Sequence, residues 1–93
     1  MRTKFDERRP KVGVLVSTTA GTLVKEFAYV DQAARYVARN PARYVVQYVD
    51  PLTEQAVHVS GEDFQRLARN FPRTRTELDA RRNRLPWNEA HHG

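Results

Sequence analysis

The side chains of this chain that could do chemistry are few, and their spacing limits what each can do. His58 and Ser60 stand two apart, and Glu62 follows two further on. On an extended strand the first two share a face, so a serine–histidine–acid relay can be drawn through them. A simpler assignment uses the same residues. Ser60-Gly61-Glu62-Asp63 has the form of a helix cap, with Asp63 where glutamate is usual. His58 is then an ordinary outward-facing strand residue. Thr18-Thr19-Ala20-Gly21-Thr22 has the small residues of a phosphate loop but neither its lysine nor its following helix. His91-His92 is a pair without further ligands beside it. There is no cysteine, which excludes disulfides and zinc sites built on sulfur. No paired carboxylates fall at metal spacing. The expectation is a protein that is not an enzyme and carries no metal or cofactor.

Arginine is the exception to this scarcity. The net charge is +5, and arginine outnumbers lysine thirteen to three. Residues 1–11 are net +3, residues 12–65 net −2 and residues 66–93 net +4. The last stretch holds Arg66, Arg69, Arg73, Arg75, Arg81, Arg82 and Arg84. A planar guanidinium makes paired contacts with phosphate or carboxylate, so such an end suits anionic partners. On a phosphate backbone its binding would be largely independent of sequence and steeply dependent on salt. With about five phosphates engaged, log K would fall with log salt at a slope near −4.5 on duplex DNA. No helix-turn-helix, zinc-finger or RNA-binding signature accompanies these arginines. Tyr44 and Tyr48 are spaced to share one strand face, where aromatic rings can stack bases. Packing in the core is the alternative, and the pattern of the chain favours it.

That pattern is a repeat of thirty residues. Val14–Asn40 laid on Tyr44–Asn70 without a gap gives two stretches of the same plan. Each has an apolar strand-like run, a turn, a second strand-like run and an amphipathic segment closing on Ala-Arg-Asn. Only four of 27 positions are identical, so the likeness is one of pattern. Tyr44 and Val46 fall on Val14 and Val16, the face that helices would cover. Asp31 is placed to cap a first helix, Gln32–Asn40, stopped by Pro41. Phe64, Leu67, Ala68 and Phe71 set the apolar stripe of a second helix, with Glu62 and Arg66 as a supporting pair. A short third helix can start near Thr76 and run to Arg84. The fold class that follows is α+β, in the order ββαββα: a four-stranded antiparallel sheet with two helices on one face. A basic N-terminal lead (residues 1–10) precedes the domain (residues 11–72), and a basic C-terminal arm (residues 73–93) follows it.

Two helices on one side leave the other face of the sheet bare. Leu15, Val24, Ala28, Val45 and Val49 alternate onto that face, with Glu26, Gln47 and His58 among them. Apolar surface of this kind normally docks something. The candidates are a second copy of the chain, joined through this face or a sheet edge; the C-terminal arm through Leu78, Leu85 and Trp87; and a foreign protein.

No apolar run approaches the roughly 18 residues of a membrane span. The first ten residues lack the apolar stretch of a secretory signal. The expected setting is cytoplasmic. Two functional classes remain open. One is a binding module on nucleic acid or its machinery, with the arginines on phosphate. The other is a protein-binding adaptor or inhibitor of the small phage or mobile-element kind, its basic surface docked on an acidic nucleic-acid-processing protein.

Overall fold

Alternation of valine with small or polar residues makes the first strand, and a single glycine turns it back. Gly21 has φ of +94°, a conformation that costs glycine little and other residues much. It lets Thr18 N donate to Thr22 O (2.8 Å) and Gly21 N donate to Thr18 O (2.9 Å). The hairpin so formed joins β1 (Val14–Thr18) to β2 (Leu23–Phe27). A second hairpin joins β3 (Tyr44–Val49) to β4 (Ala56–Ser60). Asp50 holds its turn, the carboxylate accepting from Leu52 N at 2.8 Å. In the computed structural model, which describes residues 9–84, the strands form one antiparallel sheet in the order β2-β1-β3-β4.

The thirty-residue repeat is legible in the register. Val16 pairs with Val46, so equivalent residues of the two halves meet at the centre of the sheet. A pseudo-twofold axis through that pair relates β1 to β3. Both hairpins then send a helix across the same face. On that face Val14, Val16, Val46 and Tyr48 are buried against Val30, Ala33 and Val37 of α1 (Val30–Val37) and Phe64 of α2 (Gly61–Arg69). Val57, Val59, Ala68 and Phe71 close the margin of this core. Tyr48 and Phe64 meet edge-on at 5.8 Å between centroids, a geometry worth about 0.5–1.5 kcal/mol beyond area burial. Burial, and Asp50 after it, raises the Tyr48 phenol above its ordinary 10.0.

Several local details depart from the sequence-based expectation. The first helix starts at Val30 with Tyr29 as its N-cap and no side-chain cap bond. Asp31 instead lies in the first turn, where a carboxylate favours the helix dipole, and it pairs with Arg35 at 3.4 Å. The helix ends at Val37, not Asn40, because Pro41 opens a separate 3₁₀ turn, Pro41–Arg43. Asn40, before the proline, leaves helical geometry at φ −159°. The second helix is capped as its sequence suggests, Ser60 Oγ accepting from Asp63 N at 3.2 Å. Arg66, however, reaches Asp63 one turn back and not Glu62.

Residues 11–71 form one compact unit, and α3 (Arg75–Asn83) belongs to another. This helix starts before Thr76 because Thr74 caps it, its hydroxyl accepting from Glu77 N at 3.0 Å. Glu77 accepts in return from Arg73 N (2.9 Å) and from the Arg81 guanidinium (2.6 Å). These bonds, the Arg73 one foremost, hold the Glu77 carboxyl below its ordinary range. Among the described residues no helix is long and apolar enough to cross a membrane.

Candidate functional site

The positive charge of the domain is unevenly placed. Lys25, Arg35, Arg39 and Arg43 are the four cations of residues 12–65. They come from the middle of β2, from α1 and the residues that end it, and from the 3₁₀ turn after it. Between them lies a row of aromatic rings. Phe27 and Tyr36 stand 5.4 Å apart between centroids, and Tyr36 and Tyr44 5.5 Å apart, both pairs tilted.

Strand register explains the row. Phe27 pairs with Val14 and Tyr44 with Thr18, which turns both rings to the helix-bearing face. Tyr36, on the helix, reaches across to both. The Tyr36 ring lies 5.9 Å from Lys25 Nζ and 5.9 Å from the Arg39 guanidinium; Lys25 is also 5.6 Å from the Phe27 ring. Such contacts contribute about 0.5–1 kcal/mol each at exposed sites. All three rings are half-buried, and Lys25, Arg35 and Arg39 are exposed. A shallow groove of about 580 Å³ runs between β2 and α1, with Phe27, Tyr36, Lys25 and Arg39 along it. The hydroxyls of Tyr36 and Tyr44 share a hydrogen bond that raises the Tyr44 phenol, while Arg43 and Arg39 pull it the other way. Arg35 is partly engaged by Asp31, and Glu26 lines the far wall. Chemically, the groove offers flat aromatic rings beside the exposed cations Lys25 and Arg39.

The arginines expected to form the anionic-partner surface are spread more widely. Arg66 and Arg69 occupy the last turn of α2, and Arg66 is paired with Asp63. Arg73 precedes α3, Arg75, Arg81 and Arg82 lie on it, and Arg84 is its C-cap. At 3.6 residues per turn, Arg75 and Arg82 share one side of this helix, while Arg81 and Arg84 lie on another with Glu77. Arg81 is bound to Glu77. The helix therefore does not present a single arginine stripe.

On the sheet face turned away from α1 and α2, Leu15 and Val45 are half-buried and Val49 is exposed. Val24 is the extra residue of a bulge between β1 and β2, where the pairing passes from Val16–Lys25 to Ser17–Leu23. Leu23 therefore takes the place in the alternation that Val24 was expected to hold. His58 and Ser60 share this face as their spacing implies, and Ser60 is occupied as a helix cap. Leu85, Trp87 and the His91-His92 pair lie outside the described residues, as do residues 1–8. Among the described residues no three histidine or carboxylate side chains cluster as a metal site would need.

Sequence reasoning passed over Lys25, Phe27 and Tyr36 as a site. The repeat held the signal. Tyr36 falls on Arg66, a residue with an exposed side chain, so a ring at that position stands at the margin of the core with one side open. Comparison of the chain with protein-family models, with curated protein sequences and with solved structures finds no match.

Proposed function

We propose that this protein is a non-enzymatic binding module for single-stranded nucleic acid. Bases lie on the Phe27–Tyr36–Tyr44 row, and phosphates meet Lys25, Arg39 and Arg43. The observation that carries this reading is the placing of Lys25 and Arg39 at 5.9 Å from one half-buried tyrosine ring. A base needs a flat partner and its phosphate needs a cation within one nucleotide's reach; stacking of this kind is tolerant of sequence and worth about 1–3 kcal/mol per base. The exposed Arg69, in the same compact unit as the groove, adds affinity for the backbone without reading sequence. Duplex DNA keeps its bases stacked inside, so the rings favour single strands over it.

Fluorescence anisotropy of labelled oligo-dT, oligo-rU and a duplex of equal length tests the reading at low salt. Single strands should bind more tightly than duplex. With three phosphates held in the groove, log K should fall with log salt at a slope of at least about −2. Lys25→Ala or Arg39→Ala should make that slope shallower by about 0.7. Tyr36→Leu keeps an apolar side chain and should weaken binding about tenfold while leaving the slope alone. Absence of binding at low salt, or tighter binding to duplex that survives Tyr36→Leu, refutes the groove as the site. In that event the adaptor reading gains, with the same cations facing an acidic protein.

A further inference from the structure

The sheet face turned away from α1 and α2 has a relief that repeats with opposite sense on its two halves. Strand pairing sets the rows. In the order β2, β1, β3, β4 the middle row reads Glu26, Leu15, Gln47, His58. The row beside it reads Leu23, Ser17, Val45, Ser60. On the other side Val49 pairs with Ala56, and continuing the β1 register two residues past Leu15 brings Gly13 and Ala28 into that row. Val12 N donates to Ala28 O at 2.9 Å, which holds that corner of the sheet together.

Val49 is 55% exposed and stands out from β3. Gly13, across from it on β1, has no side chain, and a Cβ built there would meet nothing within 4 Å. A depression of about 490 Å³ is the result, lined by Gly13, Leu15, Glu26 and Ala28. The face thus has a projection on one side of its midline and a hollow on the other. It also has a carboxylate on one edge strand and a histidine, in the same row, on the opposite edge.

We propose that this face docks a second copy of the chain, about a twofold axis parallel to the strands. Such an axis reverses the strand order while keeping the rows. Val49 then enters the hollow at the partner's Gly13. Val45 sits over the partner's Ser17, Leu23 over the partner's Ser60, and Glu26 meets the partner's His58. Val49, Val45 and Leu23 each meet a small residue, Leu15 lies over the partner's Gln47, and every contact occurs twice, as a self-complementary interface requires. The sheets pack face to face, as in a β-sandwich. The other twofold axis in the plane runs across the strands. It places Glu26 on the partner's Glu26 and leaves the hollow empty. Charge and shape therefore select the same arrangement. Four strands at about 4.8 Å and five residues at about 3.4 Å make a face of roughly 19 by 17 Å. An interface of this size lies below that of stable dimers, so the dimer should be a weak one that forms only at high protein concentration.

Sedimentation equilibrium of the full chain from about 1 to about 500 µM tests this, a range that reaches weak association. The wild type should pass from monomer to dimer. Gly13→Val fills the hollow from a position with open space around it, and Gly13 does not have the left-handed backbone of Gly21. It should remain a monomer throughout with no loss of thermal stability. Glu26→Lys should weaken the dimer at least tenfold, and the double variant Glu26→Lys/His58→Glu should restore it. Gly13→Val leaves Lys25, Tyr36 and Arg39 in place, so oligonucleotide binding by the isolated groove reports separately. A wild type that stays monomeric at the highest concentration overturns the proposal. So does a dimer that Gly13→Val leaves intact, or one that the charge swap fails to rescue.

Discussion

Gly61 is where helix propensity and packing make opposite predictions, so its replacement tests the packing directly. Gly61 is the first residue of α2, and its backbone is not in the left-handed region. On conformational grounds alone, Gly61→Ala should stabilise the fold by about 0.4–1 kcal/mol through the unfolded chain. The surroundings forbid it. A Cβ at Gly61 would run into Pro41 O and lie 2.9 Å from Val37 Cγ1. Pro41 O is backbone, in the turn that ends α1, and cannot swing aside as a side chain can. Either α2 moves off the 3₁₀ turn or the turn moves off the sheet, and overpacking of this kind costs about 1–3 kcal/mol. The net expectation is a loss of about 1–2 kcal/mol, or a Tm lower by roughly 5–15 °C for a unit of this size. Gly13→Ala is the control, since nothing lies within 4 Å of its added Cβ. It should gain up to about 1 kcal/mol. Urea or thermal unfolding of both variants, followed by circular dichroism, gives the two signs. A Gly61→Ala protein as stable as the wild type would refute the close approach of α2 to the end of α1.

Three further outcomes are expected. Thr74→Ala removes the cap of α3 and should cost about 1 kcal/mol of helix stability, seen as faster amide exchange across Arg75–Asn83 with little change in the sheet. Glu54 holds a φ of +61° in the β3–β4 turn; Glu54→Gly relieves that strain and should raise stability by about 0.5–1 kcal/mol in urea unfolding. Tyr44 and Tyr48 have phenols raised above 10.0 in the fold. The folded state therefore holds these protons more tightly than the unfolded chain does. Stability should be undiminished below about pH 10 and fall as pH rises through the folded values, which urea midpoints across that range will show.

The sheet and its two helices could be read from the chain because they follow from patterns that burial enforces. Val12, Val14 and Val16 alternate with Gly13, Leu15 and Ser17, and the same alternation returns thirty residues later. One side of each strand must face the helices, which fixes the face and, through Val16 and Val46, the centre of the sheet. The ends of elements were less legible. Thr74 and Thr76 are both competent caps, and the choice rests on which one has Glu77 three residues on. The bulge at Val24 leaves no mark in the composition of β2, since Leu23 and Val24 are equally apolar. The aromatic groove was the least legible of all. Phe27, Tyr36 and Tyr44 come from three elements, and only the pairings of Phe27 with Val14 and of Tyr44 with Thr18 bring them together. Read singly, each ring looks like core.

The two halves share what burial needs and differ where the groove lies. Shifted by thirty residues, Lys25 falls on Gln55, Phe27 on Val57 and Tyr36 on Arg66. The first half thus has rings where the second has an arginine and a valine. The second half also carries the acids Asp50, Glu54, Glu62 and Asp63, so the field of the domain favours approach of an anion from the side of the first half. Tyr36→Arg copies the second half's residue into the first and separates charge from stacking. Tyr36 is half-buried at the margin of the core, while the side chain of its counterpart Arg66 is 74% exposed, so circular dichroism and thermal unfolding of the variant must first show that it folds. If the groove held nucleic acid by charge alone, an added guanidinium would tighten binding and steepen the salt slope by about 0.7. If rings carry bases, removing the central one breaks the row at its middle, and affinity should fall about tenfold despite the extra charge. Anisotropy titrations with oligo-dT at two salt concentrations distinguish the cases by sign. Tighter binding by Tyr36→Arg would reduce the site to an electrostatic patch.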